Sequence, residues 1–327
     1  MLLRSLNRAL GYVGVLLAAI ALNFALPRLA PGDAVDYLLP PEVAGEITAA
    51  ERERVLSQYG LGEPAPVQFW RYLTNLATGD LGVSVRYARP VTEVLGDRVG
   101  WTALLVGGAL VLSTVFGTLL GFYSAWRRGS TADAGTLTAV MVVDAMPPFF
   151  LGLLFILLFS VQLEWLPIFG ALPASGAGGI GLVLEAGERL ILPLVTLTLG
   201  YLGSVYLVAR ASLVGELQED YVLMAEAKGL DARGVRRHAQ RNALIPIATI
   251  TLVGLGTLVG GAAVVETVFS YPGLGRLIYE SVLARDYPLL QGAFLLLAVG
   301  VVLANLVADL LYPLLDPRVR RPGARVG

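Results

Sequence analysis

The side chains that most often carry chemistry are scarce in this sequence. The chain has 327 residues, no cysteine and one histidine, His238. Disulfides, thiolate metal sites and cysteine nucleophiles are therefore excluded, and one histidine cannot form a His-Glu-x-x-His zinc site. A Gly-x-Ser-x-Gly serine hydrolase sequence is also missing. The sequence therefore predicts no catalytic residue, no metal site and no cofactor.

The sequence also has no nucleotide-binding loop. Such a loop needs Gly-x-x-x-x-Gly-Lys-Ser/Thr to surround phosphates with backbone amides, but Lys228, the only lysine, is followed by Gly229 and Leu230. If the function of this chain is driven by ATP, another chain must therefore bind and hydrolyse the nucleotide. The formal net charge of −1 gives no overall basic field that would attract nucleic acid.

The composition is that of an integral membrane protein. Hydrophobic residues make up 56% of the chain and charged residues 15%, whereas soluble domains carry about 25% charged residues. The mean hydropathy is +0.70. A helix that crosses a bilayer needs roughly 20 consecutive apolar residues. Windows of about that length predict six transmembrane helices. The first is Ala9–Leu26. Each of the other five lies between two charged residues: Arg98 and Arg127, Asp133 and Glu164, Arg189 and Arg210, Arg241 and Glu266, and Asp286 and Asp309.

The orientation of these helices follows from the basic residues between them. Arginine and lysine are concentrated in the segments that share a side with the N-terminus and are sparse in the short segments on the other side. Basic residues mark the cytoplasmic side of short connections. The sequence therefore predicts cytoplasmic N- and C-termini, a large extracytoplasmic loop over about residues 27–100, and a single membrane domain over residues 1–327. The first helix is longer than the apolar core of a cleaved signal peptide, about 7–15 residues, so we expect it to be retained.

The cytoplasmic segment over about residues 211–245 is longer than a turn between two helices requires. The spacing of Leu213, Leu217, Tyr221 and Met224 predicts one helix from Leu213 to Lys228. Gly229 is expected to end that helix, Asp231 to cap the next one, and Pro246 to open the fifth span. This basic, amphipathic segment fits either a helix that rests on anionic lipid or a docking surface for a cytoplasmic partner.

At this segment the sequence resembles the binding-protein-dependent ABC permeases, in the dipeptide, oligopeptide and nickel branch, and the first of the two permease subunits. The resemblance covers nearly the whole chain, because an ordered series of short motifs recurs along it. The motifs are Ala30-Pro31-Gly32-Asp33, Gly79-Asp80-Leu81-Gly82, Arg89-Pro90-Val91, Asp220-Tyr221-Val222, Ala225-Glu226-Ala227-Lys228-Gly229-Leu230, His238-Ala239, Arg241-Asn242-Ala243-Leu244, Val265-Glu266-Thr267-Val268-Phe269, Pro272-Gly273-Leu274-Gly275, Arg285-Asp286-Tyr287-Pro288 and Leu315-Asp316-Pro317-Arg318.

The resemblance implies a type I ABC importer permease fold in a bacterial or archaeal cytoplasmic (inner) membrane. It implies three kinds of protein partner: a second permease as a heterodimer, two ATPase subunits that hydrolyse ATP, and an extracytoplasmic solute-binding protein. It further implies that the cytoplasmic segment inserts into a groove of an ATPase. The ATPase-coupling residues carried over are Tyr221, Ala225, Glu226, Ala227, Lys228, Gly229 and Leu230. Peptides are the expected cargo, and nickel or another small solute is the alternative.

Four residues inside the spans are candidates for the translocation pathway. Asp144 is an ionisable group within the third span, a position that marks function by default, although a neighbouring helix could equally satisfy it. Pro147 lies close by, where we expect the helix to kink. Gly256 and Gly260 make the fifth span smooth, which suits either a solute path or close helix packing. A secondary transporter driven by an ion gradient is the rival function, but it would need more intramembrane charges and usually internal repeats.

Overall fold

The structure, a computed structural model, describes residues 2–29, 48, 50, 51, 54, 63–168, 170 and 180–315. Within these residues the regular secondary structure is helical, apart from one isolated antiparallel bridge between Val83 and Pro90. A π-helical segment, Ile156–Gln162, continues directly from the fifth helix. The helices are α1 Leu2–Leu29, α2 Ala65–Ala77, α3 Val91–Trp126, α4 Thr131–Asp144, α5 Pro148–Phe155, α6 Ile180–Glu216, α7 Asp220–Ala227, α8 Ala232–Val268, α9 Leu274–Leu283 and α10 Tyr287–Leu315.

Four of the described helices, α3, α6, α8 and α10, are long and apolar enough to cross a membrane. A fifth crossing is present if α4 and the segment Pro148–Gln162 form one broken span. The described apolar part of α1 is shorter, Leu10–Ala25, and it covers most of the first predicted span. The structure therefore agrees with an all-helical membrane protein, whereas the count of six spans and their orientation stay predictions.

The third predicted span is broken rather than kinked. The axes of α4 and of Pro148–Gln162 differ by 96°, and Pro147 between them has an extended backbone with φ −58° and ψ 140°. A residue that precedes proline is driven out of the helical region, and Pro147 precedes Pro148. Two consecutive prolines therefore separate two helices where the sequence suggested a bend in one.

The fifth predicted span does not begin at Pro246. Helix α8 runs without a break from Ala232 to Val268, with Pro246 inside it. Its 37 residues rise about 55 Å, which exceeds the roughly 30 Å hydrocarbon core. Proline is tolerated inside membrane helices because neighbouring groups satisfy the freed carbonyl. The basic N-terminal turns of α8 are therefore a direct extension of the spanning part, and not a separate helix.

The chain divides into two compact units, residues 1–101 with 272–303, and residues 102–271 with 304–327. In the first unit the start of α3 packs against α9 and α10. A buried cluster fills this contact: Val91, Val94, Leu95, Leu274, Leu277, Leu289 and Ala293. The segment 269–288 thus contains the helix α9 and buries one of its faces. The prediction of a single membrane domain stays a prediction.

Two of the sequence motifs meet in the first unit. The fully buried carboxylate of Asp286 accepts hydrogen bonds from the Ser84 hydroxyl, from the Arg86 backbone at 3.0 Å and from the Leu289 backbone at 3.2 Å. It thereby caps the start of α10 and holds the segment before α3 against it. The Gly79-Asp80-Leu81-Gly82 motif provides the preceding turn, with both glycines at positive φ.

Helices α3, α4, α6 and α8 form the body of the second unit, and α6 and α8 make its main helix–helix contact. Near the C-terminal end of α8, the fully buried Glu266 accepts a hydrogen bond of 2.6 Å from Thr102 of α3. The backbone N–H of Tyr271 then bonds to the Glu266 carbonyl at 2.8 Å and closes the helix. This geometry gives the Val265-Glu266-Thr267-Val268-Phe269 motif a structural role, which the sequence did not suggest.

Candidate functional site

The segment between α6 and α8 contains a short separate helix, α7. The sequence suggested one helix from Leu213 to Lys228, but α6 ends at Glu216 and α7 begins at Asp220. The backbone N–H of Gln218 bonds to the Gly215 carbonyl at 2.9 Å, and this tight turn redirects the chain. The apolar residues at helical spacing therefore do not share one face: Leu213 is fully buried, whereas Met224 is 58% exposed.

The exit from α7 is fixed by its backbone. Gly229 has φ +82°, its N–H bonds to the Glu226 carbonyl at 2.9 Å, and the Leu230 N–H bonds to the Ala225 carbonyl at 3.2 Å. These are the two bonds of a Schellman motif, which favours glycine at this position. Asp231 then caps α8 by accepting a 2.8 Å hydrogen bond from the Gly234 N–H. The structure has both the terminating glycine and the cap that the sequence predicted.

One side of α7 is anchored to the body of the protein. Val222 is buried, and the ring of Tyr221 contacts the ring of His238 at a centroid distance of 5.5 Å. The Tyr221 hydroxyl donates to the Glu216 carboxylate. Burial, and then this bond, raise the pKa of Tyr221 to about 12, so the hydroxyl is protonated and remains a donor at physiological pH. His238 thus has a packing role here, and no group of side chains suited to a metal ion occurs within the described residues.

The other side of α7 is an exposed tip with apolar side chains. Leu223 is 70% exposed, Met224 is 58% exposed, and Leu230 in the exit turn is 43% exposed. Of the seven predicted coupling residues, Tyr221 and Ala225 are half-buried, and the others are exposed: Glu226, Ala227, Lys228, Gly229 and Leu230. Leu223 and Met224 were not among the predicted coupling residues, although they are the most exposed large apolar side chains of α7.

The helix ends around α7 form a close-packed base. Ala125 of α3, Leu213 of α6, and Ala239 and Ala243 of α8 are buried together. The small side chains allow the three helices to approach one another closely. Arg236 of α8 also lies over the ring of Trp126, 4.6 Å from its centroid, an arrangement that suits a cation–π contact. The helix ends on either side of α7 are therefore packed against each other and against α3.

An ion pair joins α4 to α6 and α3 about one turn of α6 away from Leu213. Arg210 of α6 donates through Nε and Nη2 to the two oxygens of Asp133 in α4, at 2.9 and 2.8 Å. Asp133 also accepts from the Gly129 backbone at 3.0 Å and from the Ser124 hydroxyl of α3. The Ser124 and Tyr206 hydroxyls are 2.7 Å apart. The sequence did not predict this pair, although opposite charges at the same-side ends of two spans were a signal for pairing.

Two pathway candidates lie at the break between α4 and α5. Asp144 and Pro147 are both exposed in this chain. A methyl group built on Gly203 of α6 would lie 2.1 Å from Asp144 Oδ1, so the carboxylate rests directly against the α6 backbone. An exposed carboxylate at a broken helix fits a site that faces either a solute path or a partner chain. The role of these residues stays a prediction.

The other two pathway candidates lie on an outward-facing side of α8. Gly256 and Gly260 are exposed, and a methyl group built on either would meet nothing within 4 Å. Gly254, in contrast, packs against Tyr201, whose ring atoms would lie 2.4–2.5 Å from such a group. Gly254 therefore serves packing within this chain, while Gly256 and Gly260 leave a smooth surface for something outside it. Their role also stays a prediction.

Solved structures with the same fold support this architecture. Two inward-facing crystal forms of the MetNI methionine ABC transporter contain a similar chain, with TM-scores of 0.56 and 0.55. The sequences are 19% and 20% identical, and the matches cover 68% and 69% of this chain and 96% and 97% of the other. At this level of identity the likeness establishes the fold alone.

Sequence relatives match almost the full length. The chain is 37% identical to the glutathione transport system permease protein GsiC of Salmonella paratyphi A, over 96% of this chain and 98% of that protein. It is 39% identical to the GsiC protein of Pectobacterium atrosepticum, with the same coverage. It is 36% identical to a putative peptide permease protein of Brucella ovis, over 98% of this chain and 99% of that protein.

A family model also matches residues 117–321, which include α7, its base and the α4–α5 break. The family is described as the binding-protein-dependent transport system inner membrane component. The chain belongs to this family and is an inner-membrane permease subunit of an ABC importer, a transport component and not an enzyme.

Proposed function

We propose that this chain forms, with a second permease subunit, the translocation path for di- and oligopeptides delivered by an extracytoplasmic binding protein. Two ATPase subunits drive the transport. The observation that carries the coupling part of this proposal is the exposed apolar tip of α7 on its close-packed base. The relatives named as glutathione and peptide permeases support the cargo, since glutathione is itself a small peptide.

The tip of α7 has the properties of a docking element. Burying a large apolar side chain such as Leu223 or Met224 contributes about 1.5–3 kcal/mol, and exposed apolar clusters mark interaction sites. Docking of both side chains into a groove on an ATPase subunit would remove this apolar surface from water and stabilise the complex. The charged Glu226 and Lys228 beside them are then free to set the register with charges on the ATPase.

The fixed ends of α7 explain how docking can move the spans. The Schellman turn at Gly229 and the cap at Asp231 hold α7 in a defined direction relative to α8, while Tyr221 and its bond to Glu216 hold it to α6. When two ATPase subunits close on ATP, a docked α7 is displaced with them. Helices α6 and α8 then move together, since they pack along each other. This is a shift between conformations that ATP binding favours differently.

The proposed topology has six spans, with both termini and α7 in the cytoplasm and residues of about 27–100 outside. The basic start of α8, with Arg233, Arg236 and Arg237 exposed, fits the cytoplasmic side because basic residues are retained there. The break at Pro147 and the outward-facing Gly256 and Gly260 would then face the second permease or the path. Membership of the family favours this importer over an ion-coupled transporter.

The proposed function can be tested by ATP hydrolysis in lipid vesicles. The chain is reconstituted with its second permease, its ATPases and its binding protein, and hydrolysis is measured with dipeptides, oligopeptides, glutathione or nickel. We expect peptides to stimulate hydrolysis. Ala227→Glu puts a charge on the exposed tip, so we expect it to reduce the stimulation at least tenfold. Ala232→Glu, an equally exposed alanine just beyond the exit turn, should stay within twofold.

The possible outcomes separate the parts of the proposal. Stimulation by nickel and not by peptides would keep the importer and change its cargo. Equal hydrolysis by the two variants would show that the tip of α7 does not dock. Uptake that continues without any ATPase would contradict the ATP-driven mechanism.

A further inference from the structure

A cavity of about 430 Å³ lies between α3 and α8, within the second compact unit. Its size is within the usual range for ligand pockets, about 300–1,000 Å³. Its walls are mainly aliphatic, with three threonines among the lining residues and one positive charge at one end. The lining residues are Thr114, Thr118, Arg241, Leu244, Ile245, Ile247, Ala248, Thr251 and Leu252.

The polar groups of this cavity are only partly satisfied. Arg241 is exposed, and its side chain forms no ion pair or hydrogen bond with any residue that the structure describes. The Thr118 hydroxyl likewise has no hydrogen-bond partner in the described part of the chain. Thr114 and Thr251, in contrast, bond to each other at 3.1 Å. A cation beside an aliphatic wall suits a ligand with an anionic head and an apolar tail.

The dimensions of the cavity match one leaflet of a bilayer. The rise along α8 from Arg241 to Leu252 is about 16 Å, which is about half of the roughly 30 Å hydrocarbon core. Arg241 is the only charged residue among the lining residues, and it lies at the end nearer α7. The cavity therefore has the length of a single acyl chain and places its charge at the depth of a lipid headgroup.

The neighbouring side chains locate the membrane interface at the same end. Trp126 ends α3, and Arg236 lies over its ring at 4.6 Å. Tryptophan is enriched at membrane–water interfaces, and arginine at helix ends extends towards the headgroups. Arg241 is about 7 Å further along α8 than Arg236, so its guanidinium can reach the phosphate level. These contacts make the α7 end of the cavity a headgroup environment.

We propose that this cavity binds an anionic phospholipid from the leaflet on the α7 side. Arg241 pairs with the phosphate, and one acyl chain lies along Ile245, Ala248 and Leu252. Basic pockets between transmembrane helices suit anionic headgroups in this way. Only the identification of this leaflet as the cytoplasmic one rests on the proposed function.

Native mass spectrometry of the purified transporter complex tests the proposal. Bound lipid is counted with phosphatidylglycerol, with phosphatidylethanolamine of the same acyl chains, and with soluble glycerol phosphate. We expect phosphatidylglycerol to be retained at least fivefold better than either alternative. Arg241→Gln and Ala248→Phe, which remove the charge and fill the cavity, should abolish that preference. Arg237→Gln, on the same helix and equally exposed but outside the cavity, should retain it.

Three results would overturn the proposal. The first is the same lipid preference in Arg241→Gln as in Arg237→Gln. The second is equal retention of glycerol phosphate, which would indicate an ion site without a lipid tail. The third is lipid retained by the isolated chain but not by the complex, which would show that the second permease covers the cavity. The measurement uses no ATP, binding protein or peptide, so failure of the proposed transport function would not affect it.

Discussion

At the scale of single residues, the charge pair between Asp133 and Arg210 is the clearest case of a group whose removal should disturb the whole bundle. The Asp133 side chain is 6% exposed and that of Arg210 is 24% exposed, and the pair connects α4, α6 and, through Ser124, α3. Breaking a buried pair leaves one charge without its partner, which costs about 3–5 kcal/mol. The partial exposure of Arg210 places the expected cost at about 3 kcal/mol.

We therefore predict that Asp133→Asn lowers the thermal unfolding midpoint of the purified complex by several degrees. Asparagine keeps the shape of the side chain but leaves the Arg210 charge unpaired. The double variant Asp133→Asn with Arg210→Gln should recover part of the loss, because no isolated charge remains. Differential scanning fluorimetry in detergent measures both changes.

Arg89 provides the matched control, since it also pairs with carboxylates but on an exposed surface. Its side chain is 48% exposed, and it contacts Glu93 at 3.2 Å and Asp97 at 3.0 Å. Exposed pairs contribute little to stability, so Arg89→Gln should leave the midpoint unchanged. An equal drop in Arg89→Gln and Asp133→Asn would contradict the importance of the buried pair.

Some single residues could be assigned from the sequence, and others could not. The role of Gly229 and that of Asp231 depend on the local backbone, so a glycine after an amphipathic segment and an aspartate before the next were sufficient signals. The pairing of Asp133 with Arg210, of Glu266 with Thr102 and of Asp286 with Ser84 depends on which helices are neighbours. Sequence periodicity carries no such information for residues far apart in the chain.

At the scale of helices, hydropathy located the long apolar segments well but not their ends. The windows in α3, α6, α8 and α10 were found, because each contains an uninterrupted apolar stretch. The sequence predicted that a span starts at Pro246 and that one helix continues past Glu216 to Lys228. The structure contradicts both predictions. Packing of α8 against α6 supports a helix through Pro246. No glycine or proline occurs between Glu216 and Asp220 to mark the turn, and Gly215 before it lies inside the helical pattern.

Close packing of α3 on α6 gives a prediction at this scale. A methyl group built on Gly121 would lie 2.7 Å from Ala209 Cβ and 2.8 Å from the Tyr206 carbonyl oxygen. Gly121→Ala must therefore separate the two helices, and we expect a loss of about 1–3 kcal/mol in unfolding free energy. Chemical or thermal unfolding of the purified chain in detergent measures this loss.

Gly107 is the control on the same helix, because a methyl group there would meet nothing within 4 Å. Gly107→Ala should be neutral or slightly stabilising, since alanine restricts the unfolded chain and favours a helix. If Gly121→Ala were as stable as Gly107→Ala, the close approach of α3 and α6 would be wrong.

At the scale of the whole molecule, the number of membrane crossings depends on the break at Pro147. The bend of 96° is compatible with a broken span, which crosses the membrane, or with a re-entrant loop, which returns to its original side. The two cases give five or four crossings among the described helices. The proposed topology requires a crossing, because α7 would otherwise lie on the same side as the segment between α2 and α3.

The absence of cysteine from the chain allows this question to be answered with single introduced thiols. Thr78, at the end of α2 and ahead of α3, and Lys228, at the end of α7, are both exposed. Between them lie α3, the α4–α5 break and α6. Three crossings put the two positions on opposite sides of the membrane, whereas two crossings put them on the same side.

We predict that, in right-side-out membrane vesicles, a membrane-impermeant maleimide labels Thr78→Cys and not Lys228→Cys. Permeabilising the vesicles should make Lys228→Cys reactive, which shows that its protection came from the membrane and not from burial. Labelling of both thiols in intact vesicles would make the Pro147 break a re-entrant loop. Labelling of Lys228→Cys alone would invert the topology, and α7 could then not reach a cytoplasmic ATPase.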